Sequence, residues 1–207
     1  MVERLIMDMV EIGQVLRAST EGFTCGTRSS DVREPAFGAF VRTMDIQGMD
    51  NLMIIGVITA IRVDDDPLVR QLIMASSTNA SAIRDQRENR MIPVEIDVLN
   101  IGYVENGYVH HTLPPRPPMS LDSVLLCAAD EVEYVTQEFS FFRPILNAAG
   151  VPNAVELASA AIRKAAAARP PDLQYEYLVE VGRQLASLLS HDPQTLQHLL
   201  KMIRPLR

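Results

Sequence analysis

The sequence predicts a mixed fold, mainly β-barrel plus α. A small closed β-barrel spans residues 1–130, with a helical insertion at about 67–90, and a helical extension of about three helices fills 131–207. Three observations lead there. Between residues 93 and 127, apolar–polar alternation is followed by a tight-turn dipeptide, a proline run and one last short apolar stretch. The runs at 36–44 and 52–63 are rich in β-formers and bounded by Gly, Asp and Asn. After Cys127 the apolar residues recur at spacings of three and four, the period of a helix.

Along the chain, Leu5, Ile6, Met9 and Val10 fit a helical turn or a lead-in strand equally well. The first strand begins near Ile12, with a turn at Glu21-Gly22. The run Asp64-Asp65-Asp66-Pro67 ends the strand LMIIGVITAIRV and caps the insertion, where Leu68, Val69, Leu72 and Ile73 share one helical face. The later part of the insertion, SAIRDQRENR, is polar and reads as a second short helix or an exposed loop. Val94, Ile96 and Val98 then alternate with Glu95 and Asp97, as in a strand with one wet face. Asn106-Gly107 tolerates the positive φ angles of a tight hairpin. Pro114, Pro115, Pro117 and Pro118 lack N–H donors and make a stiff link before the last strand, near Val124 to Cys127.

In the extension, EFSFFRPILNAA is amphipathic and broken at Pro144. Asn153 with Glu156 predicts a capping box, in which each side chain satisfies an orphan backbone donor. The helix beyond presents Val155, Ala158, Ile162 and Ala165, and ends at Arg169-Pro170-Pro171. Asp172 is expected to cap a longer helix carrying Leu173, Tyr177, Val181, Leu185 and Leu188. Asp192-Pro193 opens a third helix striped by Leu196, Leu199, Leu200 and Ile203.

Composition narrows the function. A net charge of −7 argues against a general grip on nucleic acid, which needs clustered Lys and Arg. With no Trp and 5% aromatic residues, stacking platforms for single strands are scarce. Cys25 and Cys127 make no disulfide framework and read as two buried thiols of a cytoplasmic protein. No apolar run reaches the ~20 residues that span a bilayer, so no membrane role is expected. His110-His111 is the best metal candidate, but adjacent strand residues face opposite ways and do not chelate one ion, so no metal is expected. Asp64, Asp65 and Asp66 read as a turn and helix cap, and Glu131, Glu133 and Glu138 as a solvated face. A phosphate loop and a nucleophile elbow are both absent from the sequence, and no catalytic residue or cofactor is expected. The basic groups Arg84, Arg87 and Arg90, with Lys201, Arg204 and Arg207 near the end, are the candidate nucleic-acid contacts.

The order of elements resembles the HAS barrel, shared by HerA-type DNA-translocating ATPases and the N-terminal parts of F-type ATP synthase ring subunits. The resemblance covers about residues 10–130. It is carried by IGQVLRASTEGFTC, GAFVRT, IIGVITAIRV and VLNIGYVENGYVHHTLPPRPPMSLDSVLLC, above all by the proline link after the hairpin. In HerA-type proteins a motor domain with a phosphate loop follows the barrel. Here about 75 residues of helical pattern follow, so ATP hydrolysis does not carry over. The resemblance implies the barrel's other role, a collar that holds subunits together and docks partners such as a nuclease. The expectation is therefore a non-enzymatic assembly or protein-interaction module. It would act as a homo-oligomeric collar or as an adaptor for an ATPase or nuclease, touching nucleic acid only indirectly. The alternative is an accessory protein that binds DNA directly through a local basic face.

Overall fold

A computed structural model describes residues 10–27, 35–44, 52–63, 94–148, 151 and 153–204. Its strands are β1 (Glu11–Ala18), β2 (Gly22–Thr27), β3 (Phe40–Met44), β4 (Leu52–Val63), β5 (Val94–Glu105), β6 (Tyr108–His110) and β7 (Ser123–Leu126). Six of them close into an antiparallel barrel in the order β1-β2-β5-β4-β3-β7, and β7 returns to β1. Closure leaves no long open edge in the ring. The seventh strand, β6, is short and pairs with the second half of β5. The expected insertion at 67–90, its aspartate cap and Arg84, Arg87 and Arg90 lie outside the described residues.

The alternation predicted for 94–98 is present and has a physical purpose. Val94, Ile96 and Val98 point into the barrel with Ile12, Val15, Phe23, Cys25, Val41, Ile58 and Val124. Glu95 and Asp97 point outward. Asn106 and Gly107 both adopt left-handed φ, 50° and 80°, so the dipeptide turns β5 into β6 as its chemistry suggests.

A second core lies outside the barrel. Phe40, Ile55, Val57, Ile101 and Val104 face outward from β3, β4 and β5, and the helices cover them. There are α1 (Ala129–Val135), a 3-10 turn (Phe139–Phe141), α2 (Phe142–Leu146), α3 (Ala154–Ala167), α4 (Pro171–Leu188) and α5 (Pro193–Ile203). The described residues thus contain five α-helices where about three were expected. The three expected ones are α3, α4 and α5. Of the two additional ones, α1 precedes the aromatic run and α2 lies within it. Pro144 does not break α2 because it sits in the first turn, where its missing N–H would have no partner anyway.

Two expected caps are corrected. Asn153 precedes α3 in a left-handed conformation (φ 64°) and its side chain accepts no cap hydrogen bond, so there is no capping box with Glu156. Pro170, not Asp172, is the N-cap of α4; Pro171 takes the first helical position and Asp172 falls inside the first turn. The Asp192 cap is as expected, its Oδ1 accepting from Thr195 N at 3.0 Å. Docking of α3 depends on small residues. A Cβ on Gly38 (φ 75°) would stand 2.5 Å from Ala160 Cβ, so only glycine lets the β3 approach pass under this helix.

Candidate interaction surface

The chain from His111 to Asp122, the strap, joins β6 to β7 without regular structure. Four prolines hold it extended, and two of them, Pro114 and Pro118, are buried and pin it down. Its far end is tied to β1. Leu121 N donates to Val15 O at 2.8 Å, and Val15 N donates to Asp122 O at 2.9 Å. Buried Asp122 closes the turn by accepting from Met119 N at 2.8 Å. This anchoring turns apolar side chains outward. Leu121 is 72% exposed, Met119 64%, Leu113 55%, and Leu16 on the adjoining strand 50%. Leu121 also holds a left-handed φ of 74°, a conformation that costs a branched residue of order 1 kcal/mol or more. Strain and exposure at one residue are unfavourable for the isolated chain. Covering each such side chain would return about 1.5–3 kcal/mol.

The barrel's other open face is polar and internally satisfied. Arg17 pairs with Glu95 at 3.3 Å and Arg62 pairs with Asp97. Thr24 Oγ1 donates to Asp97 Oδ1 at 2.9 Å, and Thr59 Oγ1 to Asp97 O at 3.2 Å. A cleft of about 400 Å³ lies here, and two of its charged lining residues, Arg17 and Asp97, are already paired. A second cavity, about 570 Å³, sits between the 3-10 turn and the end of α4. Glu138 and Arg143, of opposite charge, both line it.

The seam between barrel and helices holds the remaining chemistry. Arg42 Nε meets Glu131 Oε1 at 2.7 Å, and Glu131 Oε2 also accepts from Ala128 N at 2.9 Å, capping α1. Glu131 is therefore a cross-link between β3 and α1 and not a solvated acid. Tyr134 Oη donates to the carbonyl of Gly107, tying α1 to the hairpin. Arg169 is buried. Its guanidinium donates to Ala165 O at 2.6 Å, Thr136 O at 3.0 Å and Thr136 Oγ1 at 3.1 Å, and lies 3.6 Å over the Tyr177 ring. It places a cation on the carbonyl ends of α1 and α3, where the helix dipoles favour one. Reading Arg169 as the mere end of a helix missed this. The signal was a lone arginine between an alanine-rich helix and two prolines.

His110 and His111 face opposite ways as expected. His110 stacks on Tyr103 with ring centroids 4.7 Å apart, and His111 turns toward Phe141. Among the described residues no group of three metal-ligating side chains converges. Cys25 is fully buried, and burial pushes its thiol up to about 12. Cys127 is half-buried; burial and the Glu131 carboxylate raise its thiol too. Both cysteines are free. Of the candidate nucleic-acid contacts, Lys201 and Arg204 are exposed at the end of α5, and Arg207 lies outside the described residues. No described helix is long and apolar enough to cross a membrane. No protein-family model matches the chain, and no curated protein matches it in sequence.

Proposed function

We propose that this chain is a non-enzymatic assembly module, a barrel that associates with copies of itself as a collar for an ATPase or DNA-processing complex. The observation that supports the reading is the strap. Its prolines and Asp122 spend their interactions on holding Met119 and Leu121 in the open. An unassembled chain gains nothing from that arrangement, whereas an interface gains apolar area at its centre. The helical layer complements it by covering the outer wall of β3, β4 and β5 within the chain, while β1 and the strap, among the described residues, keep apolar side chains exposed. The adaptor form of the reading uses the same surface for an ATPase or nuclease encoded elsewhere.

The test is association by the purified chain, compared with Leu121→Asp and Met119→Asp. Both positions are exposed, so the fold should survive either change. The collar reading expects the wild type to associate and both variants to fall to monomer with unchanged circular dichroism. Association that both variants leave intact would remove the strap from the interface.

A further inference from the structure

His111 is the first residue of the strap and touches the helical layer. Its ring lies 6.3 Å from that of Phe141, tilted by 46°. Phe141 is fully buried and acts as a wedge, with Phe40 of the barrel at 6.0 Å and Phe142 of α2 at 4.4 Å. Both nitrogens of His111 are shut off from water, and neither makes a well-formed hydrogen bond. A neutral imidazole carries one donor and one acceptor, and here the Ile101 backbone approaches the ring without completing a well-formed bond. Protonation would add a second poorly paired donor and a charge against aromatic rings.

Among the described residues, the carboxylate that acts on this ring is Glu138, at the N-cap of the 3-10 turn that carries Phe141. Other charged groups at the seam are engaged elsewhere. Arg42 pairs with Glu131, and His110 stacks on the opposite side of its strand. We propose that His111 is an acid-operated latch between barrel and helical layer. On protonation the imidazolium leaves the Phe141 site for the Glu138 carboxylate, and the Phe141 wedge loosens.

The direction follows from burial. It holds the imidazole below the ordinary value of 6.5, against the Ile101 backbone and Glu138, which favour the charged form. The folded chain thus binds this proton less readily than the unfolded chain. Stability from His111 is complete above the ordinary histidine value. It is lost as pH falls below that value toward the lowered folded one.

Hydrogen exchange of the full chain at about pH 7.5 and about pH 5, corrected for intrinsic rates, tests the latch. The proposal expects opening of 108–112 and 139–146 to rise measurably on acidification, in the direction set by the lowered imidazole. The β1–β2 hairpin should change little. His111→Phe should abolish the rise, and exposed Glu138→Gln should move it to lower pH by removing the carboxylate that draws the proton. Protection in the wild type that does not change with pH would overturn the proposal. So would a rise that His111→Phe retains. Should His111→Phe fail to fold, an unchanged midpoint in Glu138→Gln overturns it alone.

Discussion

Arg169 shows how a single side chain joins separate parts of the chain. It is a cation in a buried site, balanced by carbonyl oxygens and an aromatic face. Removing it strands the acceptors at the ends of α1 and α3. We expect Arg169→Ala to lower unfolding free energy by about 2–4 kcal/mol in urea denaturation. Arg169→Lys should recover less than half, because an ammonium cannot reproduce the planar fork. A loss within about 0.5 kcal/mol, the usual range for a surface substitution, would refute the assigned role. Cys25 supplies a second check. A thiol held near 12 stays protonated at neutral pH, so a thiol reagent should modify it only at the rate of global unfolding. Rapid labelling of Cys25 in the native state would contradict its place inside the barrel. The burial of Cys25 was legible in the sequence, but the role of Arg169 was not, because an arginine's burial depends on residues distant in the chain.

The elements themselves were more readable. Alternation at 94–98, the Asn106-Gly107 turn and the prolines of the strap are local chemistry, and each does locally what its residues dictate. The three long helices were legible for the same reason, since their stripes repeat over several turns. What was missed is short or depends on context. Pro144 looked like a breaker because its position within the first turn was unknown. Asn153 and Asp172 had the right chemistry for caps, but Asn153 holds its cap position in a left-handed conformation without a side-chain bond, and Pro170 takes the place expected of Asp172. Asp192 does cap, and Asp192→Ala should cost about 1 kcal/mol, measured by thermal or chemical unfolding. Gly38→Ala is a stronger test at this scale. It forces a left-handed alanine into Ala160, so α3 must lift. The expected loss is about 1–3 kcal/mol, with faster exchange in α3. An alanine variant as stable as wild type would show that the helix does not bear on this loop.

At the scale of the molecule, the chain builds two cores on one sheet. The barrel interior is filled by β-branched and aromatic side chains, and the outer wall of β3, β4 and β5 is filled by helices. A strand buried on both faces needs apolar residues at nearly every position, and LMIIGVITAIRV has them through its first half. That run predicted a strand, but its length alone could not reveal which side the helices would cover. Among the described residues the strap with Leu16 groups several exposed apolar side chains, and their exposure became visible only once the chain was folded. The account therefore turns on whether this side is covered in solution. Light scattering on the purified chain across a dilution series measures that most directly. The account predicts a discrete oligomer that persists on dilution and falls to monomer in Leu121→Asp. A chain that is monomeric at every concentration would contradict the collar.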